Sequence, residues 1–447
     1  MENKEQDRGQ FASNWGFIMA AAGSAVGLGN LWKFPYLAGQ SGGGVFVITY
    51  LFLVVAIGYT MMLGEMAIGR ATKLDPYSAY RSISPKWGWV GGLGILTAFV
   101  ILSYYSVVGG WVIKYIISSV MGTIPDFGTF IGGAAEPIIY HAIFMLVTIL
   151  IVLGGISGGI EKASKIMMPA LFVALIIIVI RSVTLPGAGA GLEYYLKPDF
   201  SKFSFGVVLA AMGQVFFSLS LGMGALVTYG SYLDKSSDLE KNAFIVPAMD
   251  TSVALLAGFA ILPAVFAFGK EPGAGPSLLF ITLPEVFAAM PFGRLFAVMF
   301  FVLVLFAALT SSISLLEVVV SFTIDKLKMS RKSGTWTVGF IMFIIGIFAS
   351  LSNGPILGNI KAPLINMNIF DTLGFFTDKL FMPIGGLAMC LFIKFAWGVD
   401  NAVAEIKTGD GATFKTEKLW RVLIGVVAPI MIAIILVTGL WEIFAQG

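Results

Sequence analysis

Long uncharged apolar runs limit what this chain can become more than any other feature. From Val422 to Trp441 no residue carries a charge, and the stretch from Ile138 to Leu153 repeats the pattern. About 20 such residues cross the hydrocarbon of a bilayer as a helix. Lipid offers no hydrogen bonds to an open backbone, so only helices and closed barrels survive there. The runs lack the alternation of a barrel strand, and helices remain. Composition agrees: 57% of the residues are hydrophobic and 12% charged, against about 25% charged in water-soluble domains. The sequence predicts an all-α membrane protein embedded in a lipid bilayer.

Charged or Pro/Gly-rich breaks divide the chain into about eleven transmembrane helices, near residues 12–37, 43–69, 88–119, 139–155, 165–184, 205–231, 242–268, 293–324, 335–352, 372–398 and 420–443. The periodic piece from Ser277 to Ala289 reads as a short helical lid on the surface. The charged start, Met1 to Gln10, runs into an apolar stretch without a convincing cleavage site, so it reads as the lead into a first membrane helix. With the amino terminus inside, nineteen of the 28 Lys and Arg residues fall on the inner side, as the positive-inside rule asks. An odd number of spans then places the carboxyl terminus outside.

Several function classes drop out. The one cysteine, Cys390, excludes an internal disulfide, and the one histidine, His141, excludes a histidine-rich metal site. Both sit in apolar runs and read as packing. No nucleophile–base pair with histidine is available, so the chain is not expected to be an enzyme. The net charge of +3 is scattered and marks no nucleic-acid surface.

Two spans carry unusual centres. The first contains Gly23 to Asn30 (GSAVGLGN) and the sixth Ser218 to Gly224 (SLSLGMG). Glycine costs about 1 kcal/mol relative to alanine in a helix interior, so such clusters suggest interruption. An interrupted helix frees carbonyls and amides that must line a cavity or bind something. The plainer reading is close helix packing through small residues. The positions decide between them: spans one and six correspond in two five-helix halves, the arrangement of an inverted-repeat transporter with its site at the repeat interface. One domain, 1–447, would then comprise repeat one near 12–184, repeat two near 205–398 and an extra helix near 420–443.

At these residues the chain resembles the bacterial branch of the neurotransmitter:sodium symporter family, with its LeuT-type fold. The resemblance is carried by Gly23 to Pro35 (GSAVGLGNLWKFP), Ser41 to Gly44 (SGGG), Glu65 to Arg70 (EMAIGR), Tyr104-Tyr105, Gly213 to Gly224 (GQVFFSLSLGMG) and Leu309 to Ser312 (LTSS), and it covers nearly the whole chain. It implies sodium-coupled symport of an amino acid by alternating access across a bacterial inner membrane, with two sodium ions.

Site residues follow from the resemblance. Amides of the first break and the Tyr105 hydroxyl would receive the substrate carboxylate, as half-helix N-termini favour anions; these are Ser24, Ala25, Gly27, Leu28 and Gly29. Carbonyls of Phe217, Ser218 and their neighbours would receive the ammonium. Ile101, Phe217, Ser220, Met223, Ser311 and Leu315 would surround the side chain. Gly27 stands where the family's amine transporters carry an aspartate, which leaves room for an amino acid's own carboxylate. Sodium is a hard cation wanting several oxygens, as others are. Its first site would use Ala25, Asn30, Ser218 and Asp250 with the substrate carboxylate. Its second would use carbonyls of Gly23, Val26 and Ala307 with hydroxyls of Thr310 and Ser311, although Thr310 and Ser311 could instead bond back within their own helix. Glu65 would hold the broken backbone of span six. Arg8 with Asp325, helped by Tyr232, would form the inner gate.

The chain departs from the family in places. Lys33 replaces an arginine at the outer gate, and Gly374 stands at the expected aspartate position, which leaves Asp371 as the partner for Lys33. Phe11 replaces a tryptophan near the inner gate. Asp250, with Ala254 one turn on, supplies a fixed negative charge where animal members use chloride, so chloride independence is expected. Met223 stands where the bacterial type member has phenylalanine, and methionine adapts to irregular shapes; with an uncharged pocket wall this points to neutral hydrophobic or aromatic substrates. A carrier for alanine or glycine, and an uncoupled uniport or channel on the same fold, remain as other readings. Oligomeric state stays open.

Overall fold

The computed structural model describes residues 9–270, 275–363, 365–409 and 413–445. Among them there is no strand, only one isolated bridge between Gly43 and Pro198. Among the described residues nine helices are long and apolar enough to cross a membrane. Numbered with the interrupted pieces in chain order, the main helices are α1 (Asn14–Ala25), α2 (Phe34–Gln40), α3 (Gly44–Thr72), α4 (Pro85–Met121), α5 (Ala135–Leu153) and α6 (Ile156–Val183). The second half holds α7 (Phe205–Ser218), α8 (Ala225–Ser231), α9 (Leu239–Ala267), α10 (Leu278–Ala289), α11 (Gly293–Asp325), α12 (Arg331–Leu351), α13 (Ile369–Trp397) and α14 (Glu417–Trp441). The short helix expected from Ser277 to Ala289 is α10, but it does not simply lie on the surface, since its Leu278, Leu279, Phe280 and Leu283 are buried.

Helix starts are set by side-chain caps that satisfy the first free amides. Ser13, Ser204, Asp238, Ser330 and Asn368 each accept a backbone N–H at the start of α1, α7, α9, α12 and α13. Several helices begin three or four residues before the expected span, as Arg331–Leu351 does against 335–352. A charged first turn is helical too, but it lies beyond the apolar pattern. The largest shift is in α6, which starts at Ile156 as a π-helical turn where the glycine run suggested a longer break before 165.

Burial separates centre from rim. In α4, 72% of the apolar window is buried, against 33% in α6, whose remaining face is left for lipid. The α11 helix packs on α4, α8 on α3, and α1 on α6, α9 and α11. Close approach needs small residues: a Cβ on Gly69 of α3 would fall 2.1 Å from the Val227 carbonyl oxygen of α8. Polar residues collect in the middle of this packing, where Asn30 and Asp250 are fully buried, and they mark the site.

Candidate functional site

Both clusters interrupt their helices. α1 stops at Ala25, and Val26 turns extended at φ −66°, ψ 110°. The helix resumes through a π-helical turn, Gly29–Lys33, into α2. Between α7 and α8 the chain passes through positive φ at Ser220, Gly222 and Gly224. Gly222 is required there twice over: its φ is +76°, and a Cβ would lie 2.4 Å from the Met382 carbonyl oxygen. Its amide is not left unpaired, because Glu65 Oε1 accepts it at 2.8 Å. Glu65 of α3 thereby reaches the segment between α7 and α8.

All thirteen residues expected around the substrate line one cavity between these two breaks, with about 370 Å³ of space including its open mouth. At one end the Leu28 N–H donates to the Tyr105 hydroxyl at 3.3 Å. A Cβ on Gly27 would come 2.7 Å from Ser311 Oγ and 3.1 Å from the Tyr105 oxygen, so a larger residue would fill the space beside them. At the other end Ile101, Met223 and Leu315 form a buried apolar wall. Ser220 donates to the Ser24 carbonyl at 2.9 Å and so ties one break to the other.

Two oxygen clusters flank the cavity. Ser311 Oγ lies 3.1 Å from the Val26 carbonyl, 3.3 Å from Ser24 and 3.5 Å from Gly23. A hydroxyl has one proton to donate, so it can serve only one of three converging carbonyls. Such an oxygen-rich, proton-poor spot suits a cation. Thr310 behaves differently: its hydroxyl bonds back to Phe306 at 3.0 Å and Ala307 at 3.1 Å. In the second cluster Asp250 receives Asn30 Nδ2 at 2.7 Å on Oδ1 and Ser218 Oγ at 2.8 Å on Oδ2. The Tyr50 hydroxyl donates to Oδ2 at 3.4 Å. Asn30 Oδ1 accepts the Gly27 N–H at 3.0 Å, which joins this cluster to the first break.

The gates differ from expectation. Lys33 pairs with Asp378 at 3.0 Å, not with Asp371, which is exposed. Asp378 lies one turn beyond Gly374, in a π-helical stretch, Thr377–Phe381. The carboxylate that Lys33 meets is therefore displaced from the aligned position. The Lys33 ammonium also sits 4.3 Å from the centre of the Phe217 ring, directly over the cavity wall. On the inner side Arg8 lies outside the described residues. Asp325 accepts the Asp75 N–H at 2.7 Å. Tyr232 donates to Glu317 Oε1 at 2.6 Å, and Glu317 pairs with Arg331 at 2.7 Å.

Sequence reasoning missed Glu317, Arg331, Tyr50 and Gln214, whose amide donates to the Gly29 carbonyl at 3.0 Å. Glu317 could have been found, since a glutamate inside SLLEVVV is costly in a membrane and usually functional. Tyr50 gives no such signal, because its ring also fits an apolar helix.

Comparison with known proteins agrees with this architecture. The family model described as the Sodium:neurotransmitter symporter family matches residues 8–127 and 131–446. The chain is 39% identical to the uncharacterized sodium-dependent transporter YhdH of Bacillus subtilis over 96% of this chain and 97% of that protein. It is 37% identical to an uncharacterized sodium-dependent transporter of Haemophilus influenzae over 99% of this chain and 100% of that protein. Among solved structures, that of MhsT in complex with L-phenylalanine superposes with a TM-score of 0.89 at 41% identity, covering 96% of this chain and 99% of MhsT. The chain is a multi-pass membrane transporter, not an enzyme, and it belongs to the sodium:neurotransmitter symporter family.

Proposed function

We propose that the protein is a sodium-coupled, chloride-independent symporter that carries a neutral hydrophobic or aromatic amino acid into the cell by alternating access. The observation that supports this most is the single cavity lined by both helix breaks, Tyr105 and the apolar wall of Ile101, Met223 and Leu315. It offers amides and a hydroxyl to a carboxylate at one end and no charged side chain at the other. An acidic or basic substrate side chain would lose several kcal/mol there by burial without a partner. The phenylalanine bound to MhsT favours the same substrate class.

Two sodium ions travel with the substrate. Ala25, Asn30, Ser218 and Asp250 hold the first beside the substrate carboxylate, which makes the substrate an ion ligand and couples the two. Gly23, Val26, Ala307, Thr310 and Ser311 hold the second between α1 and α11. The convergence of carbonyls on Ser311 supports the second site, while the three donors on Asp250 compensate its buried charge and hold it beside Asn30 and Ser218. The Asp250 carboxylate stands in for chloride. Lys33 with Asp378 over Phe217 closes the outer side, and Asp325 with Tyr232 and Arg8 closes the inner side.

In this reading the protein crosses a bacterial inner membrane eleven times, the nine long helices joined by the interrupted pairs α1–α2 and α7–α8. Repeats near 12–184 and 205–398 are inverted copies, the amino terminus is cytoplasmic and the carboxyl terminus outside. A carrier for alanine or glycine is the competing reading, favoured by the bulk of Ile101 and Leu315 inside the wall. Competition against labelled phenylalanine in sodium separates the two. Leucine, phenylalanine and tryptophan should compete best; alanine or glycine winning by tenfold, about 1.4 kcal/mol, would refute the large-substrate assignment.

A further inference from the structure

One buried carboxylate has no part in the site described above. Glu161 ends the π-helical turn that opens α6, and only 1% of it is exposed. A carboxylate there is costly unless donors surround it. Three do: the Ala12 N–H at 2.7 Å, the Ser13 hydroxyl at 2.9 Å and the Lys165 ammonium at 2.5 Å. The first two belong to the segment that leads into α1. Ser13 is also the cap of α1, accepting the Gly16 N–H at 3.0 Å. Contact is close enough that a Cβ on Gly16 would fall 1.9 Å from Glu161 Oε1. On the other side of the same end, Asn14 and Asn242 exchange amide hydrogen bonds at 3.0 and 2.8 Å, which fastens α1 to α9.

The opposite end of α1 supplies the carbonyls that converge on Ser311. The helix has 12 residues, about 18 Å at 1.5 Å per residue, so a tilt at Ser13 moves the Gly23 and Ser24 carbonyls. We propose that Glu161 is a positioning residue for transport: it holds the cytoplasmic end of α1 closed and so keeps those carbonyls in register with Ser311. The proposal rests on the alternating-access reading above. A carboxylate suits the task because it only accepts, whereas a glutamine would turn an N–H toward one of the donors.

Ser314 supplies the test. It follows Ser311 along α11 toward the cytoplasmic end, is 1% exposed, and is covered by α1 through the Ser24 hydroxyl at 2.7 Å. In a Cys390→Ala background, Ser314→Cys is labelled by an impermeant thiol reagent applied to the cytoplasmic side of inside-out vesicles in sodium. Adding Glu161→Gln should raise the labelling rate about tenfold, the loss of a charge-assisted contact or two. Ser13→Gly keeps the helix cap nearly intact, since glycine is tolerated at that position almost as well as serine, but it removes one donor, and should raise the rate about threefold. The double variant should label no faster than Glu161→Gln alone, because both changes remove one contact. Half-saturating sodium should rise in parallel. Unchanged labelling in both variants, with sodium-driven uptake intact, overturns the proposal and leaves the symport reading standing. Equal acceleration of native Cys390 labelling by Glu161→Gln marks general loosening and also overturns it. A parent protein without sodium-driven uptake overturns both.

Discussion

Replacing Ser311 with alanine removes the α11 hydroxyl that lies against the carbonyls at the end of α1. The hydroxyl stands 3.1, 3.3 and 3.5 Å from the Val26, Ser24 and Gly23 carbonyls, so the variant loses a hydrogen bond and, under the proposed sodium site, a cation ligand with it. A net hydrogen bond contributes about 0.5–1.5 kcal/mol, and an ion ligand adds to that. The expected loss, about 1.4 kcal/mol, is a tenfold rise in half-saturating sodium. Thr310→Ala provides the contrast. Its hydroxyl rests on carbonyls of its own helix, which already have helical partners, so without sodium it should cost less stability than Ser311→Ala. Melting temperature followed against sodium concentration, with phenylalanine saturating and potassium as the balancing salt, reads both effects. A Ser311→Ala midpoint within twofold of the parent would refute the idea that this cluster binds sodium.

Other outcomes follow from the same geometry. Asp250→Asn should make transport chloride-dependent or abolish it, while the parent should keep full activity in gluconate; a parent that stops without chloride would contradict the role given to this carboxylate. Met223→Phe should weaken binding of tryptophan and tyrosine selectively, and equal loss for leucine would show that the residue does not set pocket size. Asp378→Asn should speed substrate dissociation by at most about fivefold, because a half-exposed ion pair contributes roughly 0–1 kcal/mol. Asp371→Asn should leave that rate unchanged, and the opposite pattern would return the outer gate to Asp371.

Much of this protein is written in short stretches of sequence, for physical reasons. The apolar runs announce helices because lipid permits little else, and the glycine clusters in spans one and six announce the breaks because helices disfavour them. What the sequence hides is geometry that depends on a neighbour. Asp378 could not be chosen over Asp371 from alignment alone, since a π-helical turn at Thr377–Phe381 changes which side chains face Lys33. Thr310 and Ser311 are adjacent and both hydroxylic, yet one bonds back and the other reaches across; only the placement of α1 distinguishes them. Glu317 pairs with Arg331 from the next helix, a contact that no spacing rule announces.

Coupling of sodium to amino-acid movement is the central claim, and a driven flux tests it most directly. Purified protein in proteoliposomes should accumulate labelled phenylalanine above its external concentration when sodium is high outside and low inside. Replacing external sodium with potassium, or collapsing the gradient with a sodium ionophore, should abolish accumulation. Equal uptake in sodium and potassium, halting at equilibrium, would contradict symport and leave an uncoupled carrier on the same fold.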